Sequence, residues 1–388
     1  MTMRPLEGLR VLDLSRVLSG PYVGRMMSDL GADVVKVEPP EGDVTRNWGE
    51  VRAGLSGFYT QQNAGKRNVG IDLKRTGGPD LVAALADEAD VLIENFRPGV
   101  LARFGLAWDD LSARNPRLVM LSITGFGQHG PESTRQAYAP VLHAESGILA
   151  RQGRFNEVPT ADLVLSVADT NAALHGLVGV LAALRMREQT GRGQHVDLAM
   201  LDAMLATDDY VHHAMDDSAI ERLGGQVFET ADGAVLISSE PKYLWAQIHG
   251  VHGVEDPTPA GADLTTKIAC RRDAIAAWVA GFPDPAAVGE ALVAANLAWA
   301  PVRQPEDVRE SPTVAHRGTA AEIDDRDGGV RRVVQSPYRF SDAESGVRGG
   351  APHRGEHDAE VLTEWLRMDA AEIGRLRDGG VLGDASGT

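Results

Sequence analysis

The stretch GLRVLDLSRVLSGPYVGRMMSDLGADVVKVE, residues 8–38, sets the architecture predicted for the first half of the chain. Residues 10–15 and 33–38 are short runs rich in Val and Leu, as in β-strands, and residues 21–31 between them suit a helix. Both strands are almost continuously apolar, which is typical of parallel strands covered by helices on both faces. The segment therefore predicts a βαβ unit and an α/β fold.

The same alternation continues along the chain. Further strands are predicted over 68–73, 90–96, 118–124 and 195–200, and helices over 78–88, 97–104, 108–114, 170–189 and 201–215. Helix 170–189 has the clearest pattern, because its apolar residues recur at helical spacing and a glycine follows its end. These apolar residues are Leu174, Leu177, Val178, Leu181 and Leu184. Together the elements predict a Rossmann-like open sheet.

From residue 227 the pattern changes, and a second, smaller α+β domain is predicted. The segment VFETADGAVLISS (227–239) has two apolar runs around Asp232-Gly233, which is a hairpin signal. The segment 306–350 is polar and rich in Gly, Arg and Asp, and is interpreted as an extended linker. The predicted division is a large domain over 1–200, a linker over 201–226, a small domain over 227–305 and a second linker over 306–350.

The composition narrows the possible classes of function. The chain has 388 residues, a single cysteine, Cys270, and a net charge of −17. One cysteine excludes a disulfide framework, and this acidity argues against general binding to nucleic acid or to an anionic membrane. No secretory leader and no run of about 20 apolar residues is recognised, so a cytoplasmic protein that does not contact membranes is expected. The eleven histidines show no metal-ligand spacing, and no metal is expected.

Two motifs resemble phosphate-binding loops but depart from them. GFGQHG (125–130) fits G-x-G-x-x-G after a strand, but that strand is the fifth along the chain and not the first. NAGKRN (63–68) has Arg67 where a phosphate loop needs Ser or Thr to hold magnesium. The first motif is therefore interpreted as a turn at the carboxyl end of a strand, where ligands of open sheets bind.

One acidic residue, Asp169, stands at the entrance of the long predicted helix, in SVADTNAALHG (166–176). In isolation it is interpreted as the N-cap of helix 170–189, a role worth about 1 kcal/mol. The position also suits chemistry, since a helix N-terminus stabilises a carboxylate and any anion that forms on an acyl group beside it. The local sequence leaves both interpretations open.

Longer blocks of the sequence resemble, in order, the family III CoA-transferases of the CaiB/BaiF type, which include formyl-CoA transferase and the carnitine and bile-acid CoA-transferases. Besides the opening segment, they are NAGKRNVGIDLK (63–74), ADVLIENFRPGVLARFGL (89–106), ADTNAALHGLVGVLAALRMREQTGRGQHVDLAMLDAML (168–205) and APHRGEHDAEVLTEWL (351–366). The resemblance spans nearly the whole chain. It implies a CoA-transferase (EC 2.8.3 type) that moves coenzyme A from an acyl-CoA donor to a carboxylic acid acceptor.

By this resemblance Asp169 is the catalytic nucleophile. Its carboxylate attacks the thioester to give a mixed anhydride, and the released CoA thiolate then forms an aspartyl-CoA thioester. The positions matching those that hold CoA are Val17, Lys74, Asn95, Phe96, Arg97, Arg103 and Met200. The positions matching the acyl pocket are Leu18, Trp48, Tyr59, Tyr138, Gly224 and Gly225. Coenzyme A is expected as a substrate, with no tightly bound cofactor.

Two departures from formyl-CoA transferase bear on the substrate. Leu18 stands where that enzyme has glutamine, and the segment LGGQ (223–226) is shorter than its glycine loop. A larger or more apolar acyl group than oxalate or formate is therefore expected. The resemblance also implies an interlocked homodimer, in which the C-terminal segment 351–388 completes the large domain.

The same superfamily includes 2-methylacyl-CoA racemases, so α-proton exchange is the alternative activity. In those enzymes a histidine upstream of the aspartate forms the second half of the acid/base pair, and Tyr138 occupies its place here. A tyrosine with an ordinary pKa of about 10 is a poor partner for this exchange at neutral pH, so transfer is favoured. His129 or His143 would restore the alternative if either reached the site.

Overall fold

The structure is a computed structural model that describes residues 3–156, 158–218 and 224–383. The chain separates into two compact units. The larger unit holds the described residues up to Val211 and those from His316 onward, and the smaller unit holds those of His212–Ala315. Residues 219–223, which belong to the linker predicted over 201–226, lie outside the described residues.

Strands and helices alternate through most of the chain. In chain order they begin with β1 (Arg10–Asp13), α1 (Ser19–Asp29), β2 (Asp33–Glu38), β3 (Val51–Arg52), β4 (Leu55–Ser56), α2 (Gly57–Asn63), β5 (Arg67–Gly70), α3 (Gly78–Asp87), β6 (Val91–Glu94), α4 (Trp108–Arg114), β7 (Val119–Thr124), α5 (Ala139–Glu145), α6 (Ile148–Asn156), α7 (Val167–Thr190), β8 (His195–Ala199) and α8 (Met200–Thr207). They continue with α9 (Val211–Met215), β9 (Gln226–Glu229), β10 (Ala234–Ser238), α10 (Pro241–His252), α11 (Leu264–Ala280), α12 (Pro285–Ala294), β11 (Ala298–Pro301), α13 (Pro312–Arg317), β12 (Ala320–Asp324), β13 (Val330–Val334), α14 (Asp358–Leu366) and α15 (Ala370–Asp378).

Six strands of the larger unit form one parallel sheet in the order β5-β2-β1-β6-β7-β8. In β1, Val11 pairs with Val34 of β2 on one side and with Val91 of β6 on the other. This is the Rossmann order, in which two halves of three strands diverge from the junction of β1 and β6. The predicted Rossmann-like α/β fold is therefore confirmed. In such sheets the ligand crevice lies outside the carboxyl ends of the strands at that junction.

Helices cover both faces of this sheet, which explains why its strands are apolar without alternation. Successive side chains of a strand point to opposite faces. Leu12 and Val35 lie in a buried cluster with residues of α3, α14 and α15. Val11 and Val34 lie in a second cluster, with residues of α1, α7 and α8.

Helix α7 begins earlier than predicted and places Asp169 inside the helix. Its first residue is Val167, so Ser166 occupies the N-cap position and Asp169 lies in the first turn. The interpretation of Asp169 as the N-cap of a helix over 170–189 was therefore wrong. The helix packs closely on the sheet, since a Cβ at Gly176 would lie 3.0 Å from a methyl carbon of Leu121.

Helix α7 is also the one described helix that is long and apolar enough to cross a membrane, with a mean hydropathy of 1.4. No such run is recognised from the sequence alone. Within the larger unit this helix packs against α1, α5, α8 and β7. A helix that is apolar on most sides is expected in the core of a large domain as well as in a membrane.

Three other segments differ from the predicted elements. Over 97–104 only a short 3₁₀ helix forms, at Leu101–Phe104. The helix predicted over 201–215 is divided into α8 and α9, because Asp208 accepts the Tyr210 N–H after α8 ends. The segment 306–350, interpreted as extended, contains the antiparallel hairpin of β12 and β13.

The smaller unit contains an antiparallel sheet in the order β11-β10-β9. The hairpin predicted around Asp232-Gly233 joins β9 to β10, and Gly233 has a φ of 95°, which favours glycine. Helices α10, α11 and α12 supply the rest of a core that includes Val235, Ile248 and Leu292.

Candidate active site

A pocket of about 120 Å³ opens at the carboxyl ends of β1, β6 and β7, where the sheet order places a ligand crevice. Seven of the residues predicted for the site line it: Val17, Asn95, Phe96, Arg97, Tyr138, Asp169 and Met200. Two lining residues that sequence reasoning missed are Arg16 and Ser19. Their only signal in the sequence is that they follow a predicted strand of a parallel sheet.

The Asp169 carboxylate lies at the N-terminal ends of two helices. It belongs to the first turn of α7 and accepts hydrogen bonds from the backbone N–H and the hydroxyl of Ser19, the first residue of α1. Burial raises the pKa of Asp169 to about 6, although the Ser19 bonds and His143 oppose the shift. The carboxylate is thus mostly ionised at neutral pH, yet more basic than an ordinary aspartate.

The loop between β1 and α1 is held in a strained conformation. Val17 has a φ of 68°, a region that β-branched residues rarely adopt. Its N–H donates to Asp43 at 3.1 Å. Asn95 accepts the Arg16 N–H at 2.9 Å and donates to the Arg16 carbonyl at 2.8 Å. These contacts fix the direction from which Ser19 approaches the nucleophile, as expected for strain at a functional site.

A buried ionic network supports this loop from below. Lys36 donates to the Ser15 carbonyl at 2.7 Å and lies 3.3 Å from an oxygen of Asp43. Asp13 pairs with Lys66 at 2.8 Å, and neither side chain is exposed. Burial alone would raise the pKa of Asp13, but Lys66 and Lys36 hold it below its ordinary value. The charges therefore remain and anchor the carboxyl end of β1.

His143 reaches the start of α7 but not the pocket lining. Its Nδ1–H donates to Asp162 at 2.8 Å, and its Nε2 accepts the Ala168 N–H at 3.3 Å. Both ring nitrogens are therefore engaged by neighbouring groups, and these contacts position the first turn of α7. His143 is not arranged to exchange a substrate proton.

A second cavity, of about 570 Å³, lies at the carboxyl ends of β1, β2 and β5. Lys74 lines it, and Phe96 and Arg16 line both this cavity and the Asp169 pocket. The Arg16 guanidinium lies over the Phe96 ring, 5.9 Å from its centroid. Within the described ranges no carboxylate lies at ion-pair distance from Arg16, Lys74 or Arg97. These three cations remain available to an anionic ligand.

A third cavity, of about 220 Å³, contains a chain of hydrogen-bonded polar groups that the sequence did not reveal. Glu94 accepts the Phe96 N–H at 2.8 Å and bonds Ser122, whose hydroxyl lies 2.9 Å from Nε2 of His195. Burial raises the pKa of Glu94 to about 7. His129 lines this third cavity and not the Asp169 pocket.

The remaining predicted residues do not line the Asp169 pocket. Arg103 is exposed and donates to the Gly99 carbonyl at 3.4 Å. Leu18 is only 8% exposed and occupies the N-cap position of α1. Trp48 packs edge-on against Phe58, with ring centroids 5.2 Å apart. Gly224 and Gly225 precede β9 in the smaller unit and stay a prediction.

Tyr59 has a structural environment that contradicts its predicted place in the acyl pocket. The side chain is fully buried. Its hydroxyl donates to Glu38 at 2.6 Å and accepts from Arg46 at 2.7 Å. Such bonds hold the ring inside the larger unit, so it offers no surface to a substrate.

The α/β fold combines a Rossmann-type sheet with a partly buried carboxylate and with cations that have no ion pair among the described residues, all in cavities at the ligand crevice. The profile of CoA-transferase family III matches residues 6–358. The chain belongs to CoA-transferase family III and is an enzyme of the CoA-transferase class.

Individual relatives are similar over nearly their full length. The succinyl-CoA–L-malate CoA-transferase beta subunit of Chloroflexus aurantiacus is 33% identical, covering 97% of this chain and 98% of its own. The succinate–glutarate CoA-transferase of Agrobacterium fabrum is 32% identical, covering 93% and 95%. A CaiB/BaiF family protein from Brucella suis has a solved structure that superposes with a TM-score of 0.81 at 30% identity, covering 94% of this chain and 100% of that chain.

Proposed function

We propose that this enzyme transfers CoA between carboxylic acids with Asp169 as the covalent nucleophile. An Asp169 oxygen attacks the thioester carbonyl carbon, the carbon–sulfur bond breaks, and CoA thiolate leaves a mixed anhydride. The thiolate then attacks the Asp169 carbonyl carbon and releases the first acid as a carboxylate. A second carboxylate takes the CoA by the same steps in reverse, which restores Asp169.

The observation that carries this proposal is the environment of Asp169. Its carboxylate is partly buried at the first turns of α1 and α7 and is held by two donors of one residue, Ser19. Helix N-termini stabilise the carboxylate and the oxyanion that develops beside it during attack. A pKa of about 6 keeps the group ionised at neutral pH while leaving it more basic than an exposed aspartate.

The cations around the crevice support CoA as the carrier. Arg16, Lys74 and Arg97 face the two adjoining cavities with no internal ion-pair partner in the described ranges. Guanidinium and ammonium groups suit the phosphates of CoA, and Phe96 offers an apolar face between the cavities. A chain of charge −17 can therefore bind a polyanion through a local cluster.

Dicarboxylic acids are the substrate class that we propose. The names of the relatives from Chloroflexus aurantiacus and Agrobacterium fabrum specify succinyl-CoA with L-malate and succinate with glutarate. A distal carboxylate requires a cation near the reacting carboxyl group, and Arg97 and Arg16 both line the Asp169 pocket. A donor of the succinyl-CoA type is the corresponding proposal.

The racemase alternative receives no support from the described geometry. No histidine lines the Asp169 pocket among the described residues. His143 uses both ring nitrogens, and Tyr138 is 65% exposed at the pocket edge. If the alternative were correct, the α-hydrogen of an acyl-CoA would exchange with deuterium oxide in the absence of any acceptor acid.

The test of the proposal is trapping of the covalent intermediate. The enzyme is incubated with succinyl-CoA and then with hydroxylamine, and peptide mass spectrometry should locate a hydroxamate at Asp169. Asp169→Asn should show neither the hydroxamate nor CoA transfer to malate or glutarate. Asp202→Asn, which changes an exposed aspartate in the first turn of α8, is the matched control and should retain both. Transfer by Asp169→Asn at the wild-type rate would refute the proposal.

The proposal has two further parts, which are the oligomeric state of the enzyme and its location in the cell. We propose that the enzyme acts as an interlocked homodimer and works in the cytoplasm. The homodimer rests on the family resemblance, and an exposed apolar strip on α7 agrees with it. Localisation rests on composition and is tested by fractionating cells that express the full chain.

A further inference from the structure

The smaller unit contains a cavity that shares no lining residue with the Asp169 pocket. Its volume is about 430 Å³, and it lies between the start of α10 and the first half of α11. Pockets of this size are typical of small organic ligands. Its lining includes four basic residues and two exposed apolar ones: Lys242, Lys267, Arg271, Arg272, Leu264 and Ile268.

Basic charge is concentrated in this cavity. Residues 212–315 contain fifteen acidic and only seven basic residues, and four of the seven line the cavity. Solvated basic side chains are normally dispersed, so this clustering in an acidic unit raises the local positive potential. The cavity is therefore suited to an anion.

Two of the four cations have no internal counter-ion. Arg271 pairs with Asp256 at 2.6 Å, and Arg272 lies 3.7 Å from Asp273. Lys242 and Lys267 have no ion pair within the described part of the chain. One acidic side chain lines the cavity, Glu240, and its two oxygens accept backbone N–H groups at the start of α10. Both lysines are thus free to bind a ligand carboxylate.

Apart from Gln226, the rest of the lining is aliphatic. Leu244 and Ile275 form a buried floor, each 2% exposed. Leu264 and Ile268 are 72% and 41% exposed, so their side chains offer apolar surface at the cavity. No aromatic ring lines the cavity among the described residues, so it lacks a stacking surface for a nucleobase.

We propose that this cavity binds an aliphatic carboxylate of medium chain length, with the carboxylate at Lys242 and Lys267 and the chain over Leu264 and Ile268. Charge and apolar surface occupy the same cavity, which is the arrangement that an amphipathic anion requires. Gln226 lines the cavity and follows Gly225 directly, so the ligand contacts the segment next to the predicted glycine loop.

The test is calorimetric titration of the full-length enzyme with sodium decanoate, with no acyl-CoA present. Lys242→Gln combined with Lys267→Gln should raise the Kd for decanoate by about tenfold or more, because both charge-assisted bonds are lost. Arg303→Gln combined with Arg309→Gln is the matched control. It removes the same charge from the same unit outside the cavity, and should leave the Kd within about twofold at 0.15 M salt.

Two further measurements separate the charged and apolar contributions. Ile268→Ser should weaken decanoate binding by about three- to tenfold, because it removes apolar contact from an exposed position where folding is unaffected. Decanol should bind at least about tenfold more weakly than decanoate.

The proposal is overturned by any of four results. These are no binding of decanoate to the wild-type enzyme up to its solubility limit, equal weakening in both double variants, unchanged binding in Lys242→Gln with Lys267→Gln, and equal affinity for decanol. Unchanged binding in the lysine variant would place decanoate elsewhere, for instance beside Asp169 as a substrate acid.

Discussion

The reactivity proposed for Asp169 depends on two opposing effects on one carboxylate. Burial makes the ionised form less favourable, whereas the two hydrogen bonds from Ser19 stabilise it. A pKa of about 6 is the result. An ionised but basic carboxylate is a better nucleophile than an exposed aspartate, so its surroundings and its proposed chemistry agree.

The pH dependence of the reaction should follow this carboxylate. Because only ionised Asp169 can attack the thioester, kcat/KM for the acyl-CoA donor should fall about tenfold per pH unit below pH 6. Initial rates between about pH 4.5 and 8.5, with folding monitored by circular dichroism, test this. Glu94→Gln is the control, since Glu94 is also a carboxyl group of raised pKa. This variant should show the same fall in kcat/KM at acidic pH as the wild-type enzyme. A flat profile down to about pH 5 would contradict the assignment.

The same burial means that ionised Asp169 should lower the stability of the folded protein. A carboxyl group whose pKa is raised on folding destabilises the folded state when ionised, fully above about pH 6 and not at all below about pH 4. Asp169→Asn should therefore increase the free energy of unfolding by about 1–3 kcal/mol at pH 8, and this gain should disappear as the pH falls to 4. Urea unfolding measures this free energy, which should be the same in Asp202→Asn as in the wild-type enzyme. A loss of stability at pH 8 would count against this account.

Tyr59 should behave as a structural residue. Tyr59→Phe removes the buried hydroxyl that bonds both Glu38 and Arg46 and should lower the free energy of unfolding by about 1–3 kcal/mol. KM for the acceptor acid should stay unchanged. Tyr138→Phe is the matched comparison, because its exposed hydroxyl lies at the Asp169 pocket, and this variant should alter KM without altering stability. The reverse pattern would restore Tyr59 to the acyl pocket.

Among elements, the loop between β1 and α1 has the most direct effect on the nucleophile. The N–H of the strained Val17 donates to Asp43. The Asn95 amide bonds both the N–H and the carbonyl of Arg16, the residue before Val17. Asn95, matched to a CoA contact by the family resemblance, thus uses its side chain to fix the loop that carries Ser19. Loop geometry, and not only ligand contact, explains why an amide is needed at this position.

Replacement of Asn95 distinguishes these two roles. Asn95→Ala should lower the free energy of unfolding by about 1–3 kcal/mol and reduce kcat more than it raises KM for the donor, because Ser19 loses its fixed approach. Arg97→Gln is the comparison, and should mainly raise KM because its side chain is exposed and unpaired. Steady-state kinetics and urea unfolding on both variants give the answer. An effect on KM alone in Asn95→Ala would assign it to CoA binding.

The fold could be predicted from the sequence to the extent that it depends on local periodicity. All five parallel strands predicted before residue 125 are present, because strands buried on both faces have an unmistakable apolar composition. The hairpin of β12 and β13 was missed because charged residues interrupt it, as in Val330–Val334. The helix over 97–104 was overpredicted, since Gly99 has a φ of 80°, which interrupts a helix, and only Leu101–Phe104 form a 3₁₀ turn.

The site could be predicted only where the family pattern names a residue. The family pattern names Asp169 and six other residues that line one pocket, and these stay predictions, whereas it does not name Ser19, Arg16 or Glu94. Their roles depend on contacts between residues distant in sequence, such as Ser19 with Asp169, which periodicity cannot reveal. Tyr59 illustrates the opposite error, because a matched position does not specify whether a side chain faces a ligand or the core.

At the scale of the whole molecule, the location of a few cations explains how an acidic chain can bind anionic ligands. The chain carries a net charge of −17, but Arg16, Lys74 and Arg97 line the cavities at the crevice of the sheet, and Lys242 and Lys267 line the cavity of the smaller unit. A negative surface elsewhere repels polyanions that cannot reach these places. Binding of CoA and of an aliphatic carboxylate should therefore both weaken as salt is added.

The proposed homodimer can be tested on the exposed face of α7. The sequence pattern predicted one apolar stripe, but the structure buries Leu177 and Leu184 and leaves Leu174, Val178 and Leu181 at 45%, 65% and 36% exposure. These three lie at i, i+4 and i+7, on one face of the helix. An apolar strip of this kind on a long core helix is typical of a surface that a second copy covers.

Val178→Glu should therefore prevent newly made chains from assembling into the interlocked dimer, because it places a charge in the apolar strip of both copies of a symmetric interface. Light scattering coupled to gel filtration measures the mass, which should fall to that of one chain of 41.4 kDa. Val251→Glu, at a 49% exposed position of α10 in the smaller unit, introduces the same charge elsewhere and should remain dimeric. A dimer that persists in Val178→Glu would exclude this face as the interface, whereas dissociation of both variants would show that added charge alone disrupts it.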